Sequence, residues 1–164
     1  MKGCVHQINI GNGGVPKEPV LEARVTTERL EGDDWNYHSH GGAEQAVCLY
    51  ALECLEKLRK QGLKVFSGAL GENITTEGID YSKVRIGDIY RVGNDVEIQI
   101  TKVRTPCGTI AKAYGQRIRE AMWDKQIKQG DVTSPKWGMT GFYARVLQEG
   151  MIKQGDRIEK VETS

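Results

Sequence analysis

Tyr90-Arg91-Val92-Gly93-Asn94-Asp95-Val96-Glu97-Ile98-Gln99-Ile100-Thr101 carries the reading of the fold. From Val96 onward apolar and polar residues alternate, the period of a strand with one face buried. Gly93-Asn94-Asp95 separates two β-like runs with residues that tolerate positive φ, so the stretch reads as a hairpin. Similar short runs recur outward from it, at Val5–Ile10, Val20–Thr27, Val84–Val92, Val96–Val103, Phe142–Gln148 and Asp156–Glu162. The chain's 20 glycines punctuate these runs. Short strands at this spacing point to an all-β barrel or sandwich, not to a doubly wound sheet.

Two segments break the pattern. Between Glu44 and Gln61, Val47, Tyr50, Ala51, Cys54, Leu55 and Leu58 fall at helical spacing on one face. Glu44 in the first turn, Lys57, Arg59 and Lys60 in the last turns and Gly62 beyond them predict a helix over the whole segment. A second helix is expected from Cys107 towards Met122, with Ile110, Tyr114, Ile118 and Met122 at period four and Gly115 as its weak point. Gln126 to Lys136 reads as an exposed connection. With no internal repeat, low-complexity tract or linker, residues 1–164 are expected to form one domain.

The net charge of +1 removes the electrostatic argument for a nucleic-acid or membrane-surface partner. No apolar h-region follows Lys2, and no apolar run approaches the ~20 residues of a membrane span, so a cytoplasmic protein is expected. The four cysteines, Cys4, Cys48, Cys54 and Cys107, form no C-x-x-C pair, and a disulfide framework is not expected. Cys4, Cys48 and Cys54 read as structural. Cys107 differs. In Arg104-Thr105-Pro106-Cys107-Gly108-Thr109 it follows a rigid turn and opens the second helix, where helix dipole and free amides favour a thiolate. Arg104 and Lys112 add positive charge if they fold over it. The thiolate is both nucleophile and metal ligand, so any chemistry is expected at Cys107; the bland alternative is a semi-buried thiol.

His38 and His40 lie two apart ahead of Gly41-Gly42, but no Cys, Asp or Glu completes a ligand set, so loop histidines are the simpler reading. The Gly41 and Gly42 amides can receive an anion, or merely turn the chain. Gly71-Glu72-Asn73-Ile74-Thr75-Thr76-Glu77-Gly78 reads either as a site-facing strand or as an exposed edge strand. Gly138-Met139-Thr140-Gly141 is a nest of amides or a turn. No G-x-G-x-x-G, Walker, H-E-x-x-H or G-x-S-x-G motif occurs, which disfavours the corresponding cofactor and hydrolase functions.

Taken in order, Leu30-Glu31-Gly32-Asp33, His40-Gly41-Gly42 with Ala46-Val47 and Tyr50, Gly71-Glu72-Asn73, Gly87-Asp88, Arg104-Thr105-Pro106-Cys107 and Gly138–Tyr143 resemble the MOSC domain. That domain occurs at the C-terminus of molybdenum-cofactor sulfurases and as small free-standing bacterial proteins. The resemblance runs from about Val5 to Val161. It implies a mainly β (α+β) fold, a small β-barrel of the MOSC, pyruvate-kinase-barrel-like type with flanking helices. It implies the molybdenum cofactor (molybdopterin) as ligand, with Cys107 as the catalytic and metal-ligating residue. Arg104, Gly41, Gly42, Asn73 and His40 are then implied as cofactor-binding residues. Three functions follow: a cofactor protein that reduces N-hydroxylated substrates; a sulfur carrier loaded on Cys107 by a pyridoxal-phosphate-dependent cysteine desulfurase; or a non-catalytic β-barrel interaction module. Pyridoxal phosphate enters only through that partner enzyme. Cofactor-biosynthesis proteins or an electron-donor protein are the other implied partners. The pyridoxal-phosphate domain of a full sulfurase is absent from this sequence, so the chain supplies at most one step.

Overall fold

The computed structural model describes residues 1–35 and 41–163. The hairpin that opened the reading is present. β6 (Ile89–Val92) and β7 (Val96–Val103) pair antiparallel with Val92 opposite Val96, and Gly93 turns between them at φ 65°. Val96, Ile98 and Ile100 are buried while Glu97, Gln99 and Thr101 are less so, as the alternation requires.

Outward from this hairpin the sheet runs through β7 to β8 (Phe142–Gln148), then β4 (Val47–Ala51), β5 (Ile74–Glu77) and β1 (Lys2–Ile10). On the other side β6 pairs with β10 (Arg157–Lys160). β10 in turn pairs with the start of β1, Lys2 opposite Glu159 and Cys4 opposite Arg157. The circuit β1-β5-β4-β8-β7-β6-β10 therefore closes into a seven-stranded barrel. Closure leaves few free sheet edges to be managed by other means. Its pairs are antiparallel except β4–β5, which is parallel. β2 (Glu18–Val20) extends the far end of β1, and β3 (Glu22–Val25) forms a separate ribbon with β9 (Gly150–Lys153). The barrel interior is apolar, lined by Leu49, Ile98, Ile100, Phe142 and Ile158 among others, with Tyr81 packed on Phe142 at 5.5 Å between ring centroids.

Several expectations need correction. Glu44–Gln61 is not one helix: Ala43–Gln45 is a short 3-10 turn, Val47–Ala51 is strand β4, and only α1 (Leu52–Lys60) is helical. All five β4 residues are buried because its flanks are taken by β8 and β5 and both faces are covered. A strand buried on both faces loses its alternation and matches a helical stripe equally well. The second helix is two, α2 (Gly108–Tyr114) and α3 (Arg117–Met122), separated at Gly115, whose φ of 91° stops helical propagation. Val20–Thr27 divides at exposed Leu21 into two strands of different sheets. The stretch after Gln126 shares α4 (Lys125–Lys128), capped by the Asp124 carboxylate accepting from Ile127 N–H at 2.9 Å. Of the two readings of Gly71–Gly78, the exposed edge fails, because β5 is internal and Thr75 and Thr76 are buried. Among the described residues no helix is long and apolar enough to cross a membrane.

Candidate functional site

One irregularity in β7 builds the site. Ile98 and Ile100 point into the barrel, so strict alternation would send Lys102 inward too. A bulge at Thr101 inserts one unpaired residue, placing Lys102 opposite Tyr143 and Val103 opposite Phe142. The Thr101 hydroxyl donates to the Glu44 carbonyl at 2.6 Å, and lies 3.1 Å from the Tyr143 carbonyl. Cys48 on β4 also stands opposite Tyr143. Cys48, Tyr143 and Lys102 thus form a row across three adjacent strands, on the outer face of the barrel wall. The Lys102 ammonium lies 5.3 Å from the centroid of the Tyr143 ring.

This row floors a cleft of about 240 Å³. Its walls are the loops at Gly14–Lys17, Asp33–Trp35 and Arg104–Cys107, with Gln45, Ala46, Gly71, Asn73 and Thr109 completing the rim. Cys107 is half-buried at the start of α2 and is one of the residues lining this cleft. Arg104 lies beneath, only 7% exposed. Its backbone N–H donates to the Gly141 carbonyl at 3.0 Å and its Nη2 donates to the Leu70 carbonyl. Its buried Nη1 has no hydrogen-bond partner among the described residues. Burial works to lower the Arg104 pKa, but its ionisable neighbours Cys48, Tyr143, Glu72 and Cys107 oppose the loss of its proton and keep that pKa above the ordinary arginine value.

Burial pushes the Cys48 thiol up in pKa, with Arg104 opposing, so Cys48 stays neutral. Tyr143 is pushed up to about 12, chiefly by burial. At the opposite wall the Lys17 ammonium donates to Asp33 Oδ2 at 2.7 Å, both side chains being less than one-tenth exposed. Asp33 Oδ2 also accepts from Asn73 Nδ2 at 2.8 Å, and Oδ1 accepts from Gly11 N–H at 3.0 Å. Asn73 Oδ1 accepts from the Cys48 N–H at 2.9 Å, while Cys48 O accepts from the Asn73 N–H at 2.8 Å. The Asn73 amide is therefore engaged at both ends, tying β4 to the Asp33 loop and fixing the cleft wall.

Of the residues singled out in the sequence, Cys107, Arg104 and Asn73 come together around this cleft. Gly41 and Gly42 lie just before the rim residues Gln45 and Ala46. A Cβ on Gly41 would fall 2.1 Å from the Trp35 ring, so its bare backbone lets the chain rest against that indole. His38 and His40 lie outside the described residues. Lys112 is exposed on α2 and is not among the cleft-lining residues. Gly138 and Gly141 hold tight turns: both have positive φ, and a Cβ on Gly141 would meet the Leu49 carbonyl at 2.3 Å. Among the described residues no cluster of three or more His, Cys, Asp or Glu is arranged to hold a metal ion.

Sequence reasoning missed Lys17, Lys102 and Trp35, and it quoted Asp33 and Tyr143 only within motifs, without a role; Cys48, read as structural, is buried and also lines the cleft. It quoted Glu72 without giving it a role; the residue is fully buried, with no hydrogen bond to either carboxylate oxygen. The available signal was a carboxylate two residues from Leu70 on one side and from Ile74 on the other, in Ala69-Leu70-Gly71-Glu72-Asn73-Ile74.

The family model for the MOSC domain matches residues 36–159. YflK of Bacillus subtilis (strain 168) is 33% identical over 151 residues, which are 89% of this chain and 62% of that protein. A protein of Gibberella moniliformis (strain M3125 / FGSC 7600) named "Reductase" is 30% identical over 135 residues, 80% of this chain but 22% of the larger protein. The chain thus spans less than two thirds of either relative. The crystal structure of YiiM from Geobacillus stearothermophilus superposes with a TM-score of 0.70 at 27% identity, covering 98% of this chain and 75% of that one. A barrel of this connectivity, the ordered motifs around the cleft and the family match over most of the sequence agree, and the chain belongs to the MOSC-domain family.

Proposed function

We propose that residues 1–164 act as one MOSC domain that binds the molybdenum cofactor (molybdopterin) in the cleft, with Cys107 as ligand to the metal. Membership of the family associates the chain with molybdenum-cofactor biology. The observation that carries the finer reading is the meeting of a half-exposed thiol with a buried guanidinium nitrogen that lacks a partner. Such a nitrogen is a costly thing to leave in a protein interior unless a ligand completes it. The cofactor's phosphate is an oxyanion, and a guanidinium suits it. A single soft thiolate suits a metal that arrives with sulfur ligands of its own, so no cluster of protein ligands is required.

When bound, the cofactor supplies two-electron redox chemistry. The chain's own residues do the rest. Arg104 holds the anionic part, with the Gly41 and Gly42 amides as further donors; His40, proposed with them as cofactor-binding, lies outside the described residues. Asn73 and the Lys17–Asp33 pair keep the wall rigid. Tyr143 floors the cleft and Trp35 stands in its wall. The reaction class is reduction of an N-hydroxylated compound, R–NHOH + 2e⁻ + 2H⁺ → R–NH2 + H2O, in the cytoplasm with electrons from an external donor protein. Protein co-expressed with the cofactor-synthesis machinery is expected to carry about one molybdenum per chain, and Cys107→Ser far less. Equal metal in both overturns this reading.

A second reading rests on the same half-buried thiol. Cys107 receives sulfur as a persulfide from a pyridoxal-phosphate-dependent cysteine desulfurase and passes it to the cofactor or its biosynthesis proteins. Incubation with a desulfurase and cysteine then adds the mass of one sulfur atom at Cys107 without bound metal. A protein that retains no molybdenum and gains no sulfur is instead a β-barrel interaction module.

A further inference from the structure

Two buried ionisable groups, Arg104 and Glu72, lie close enough to feel each other's charge, and each is incompletely satisfied. Arg104 has Nη1 without a partner, and Glu72, wholly buried, has neither oxygen hydrogen-bonded. The amides of Gly68, Leu70 and Glu72 itself face the carboxyl and temper its pKa, but none closes a hydrogen bond of ordinary geometry. Two groups so placed, with donors and acceptors to spare, do not form a saturated structural ion pair. Arg104 keeps its Leu70 bond through Nη2 and has the Tyr143 hydroxyl beside it, while Nη1 remains to take a further acceptor.

We propose that Glu72 is a proton-coupled counter-ion to Arg104: an oxyanion engaging Nη1 draws one proton from solvent onto the Glu72 carboxylate, and departure of the anion releases it. This rests on the reading of Arg104 as an oxyanion anchor and adds a positioning residue to it. With the cleft empty, the charges of Arg104 and Glu72 offset one another. An arriving oxyanion takes over that role and brings a further negative charge into a region of low dielectric, where a second carboxylate is disfavoured. Protonation of Glu72 restores the balance and leaves Arg104 wholly to the ligand.

The groups facing Glu72 are compatible with this. Cys48 and Tyr50 face it from β4 and Tyr114 from α2, and burial pushes all three up in pKa, so each is uncharged near neutrality. Arg104, from the loop after β7, is the charged group that faces it among the described residues, and is itself faced by Tyr143 and Cys107. The Lys17–Asp33 pair faces Cys48. Burial raises Glu72 itself to about 7, against the opposing pull of Arg104, so its two protonation states are balanced near neutrality.

The test uses metal-free wild type and sodium sulfate, an oxyanion that does not itself titrate near neutrality. Calorimetry at pH 8 in buffers of different ionisation enthalpy is expected to show uptake approaching one proton per sulfate, with little uptake at pH 6. Sulfate affinity is expected to fall by up to about tenfold per pH unit above neutrality, and Glu72→Gln to abolish both effects. Infrared difference spectra of wild type with isotope-labelled glutamate are expected to show a protonated carboxyl appearing on sulfate addition at pH 8, a readout that does not depend on the variant folding. Sulfate binding without proton uptake, uptake unchanged in Glu72→Gln, or no sulfate binding overturns the proposal. Molybdenum retention by wild type against Cys107→Ser is measured separately, so failure of the linkage and failure of the cofactor reading are told apart.

Discussion

Lys102 on β7 stands directly opposite Tyr143 on β8, although the alternation set by Ile98 and Ile100 would have turned it into the barrel. The bulge at Thr101 makes the difference, and the Thr101 hydroxyl pins it to the Glu44 carbonyl at 2.6 Å. Thr101→Val keeps the shape and removes the hydroxyl, so it is expected to lower stability by about 1–2 kcal/mol in urea denaturation. Deleting Thr101 restores the two-residue period and drives Lys102 towards an apolar interior, with a far larger loss. If the deletion is as stable as Thr101→Val, the bulge is not what directs Lys102 outward.

Glu72 makes stability depend on pH with an unusual sign. Its carboxyl rises from 4.5 to about 7 on folding, chiefly through burial. Between those values the folded chain binds more protons than the unfolded chain, so this group makes stability fall as pH rises from about 4.5 to 7 and level off above. The full penalty, on the order of 3 kcal/mol, is present above neutrality and absent at low pH. Glu72→Gln is expected to remove that slope. Thermal denaturation from pH 4.5 to 8 in wild type and variant checks it, and parallel curves for the two would refute the assignment.

How much of this was legible in the sequence depended on how each residue is buried. β7 and β8 were readable end to end, because one face of each meets the core and the other does not. β4 was not, because its covered faces erase the alternation on which the reading relies. The bulge at Thr101 has no compositional mark; one extra residue matters only once β8 is alongside. Cys107 and Arg104 stood out through a local turn and the ordered motifs. Asp33 closed the first of those motifs, but its pairing with Lys17 was not legible: the two lie on separate segments, and nothing within either announces that they meet. Asn73 was found as a polar residue in a suggestive motif, yet its bonds to Asp33 and Cys48 depend on three segments folding together.

Gly141 is expected to tolerate no side chain. Its φ is +80°, and an added Cβ would come within 2.3 Å of the Leu49 carbonyl and 2.9 Å of the Tyr50 ring. Its own carbonyl accepts from Arg104 N–H, so a shift there reaches the cleft. Gly141→Ala is expected to lose about 3 kcal/mol or more from backbone strain and overpacking together. Gly155, also at positive φ but with open space around it, supplies the control: Gly155→Ala is expected to lose only the strain component. Equal losses at the two sites would show that the contact with β4 is not the limiting factor.

The Lys17–Asp33 pair permits a separation of charge from packing. Both side chains are nearly excluded from water, and Asp33 accepts three hydrogen bonds, from Lys17, Asn73 and Gly11. Asp33→Ala would strand the Lys17 ammonium and the Asn73 amide, and is expected to lose about 3–5 kcal/mol. Lys17→Met strands Asp33 but leaves it two donors, so the loss is expected to be smaller. The double variant, with no buried charge left unpaired, should recover much of the difference, giving a coupling energy above about 1 kcal/mol in the cycle. Strictly additive losses would mean that the pair, despite its 2.7 Å separation, contributes no mutual stabilisation and that the wall of the cleft is held by Asn73 alone.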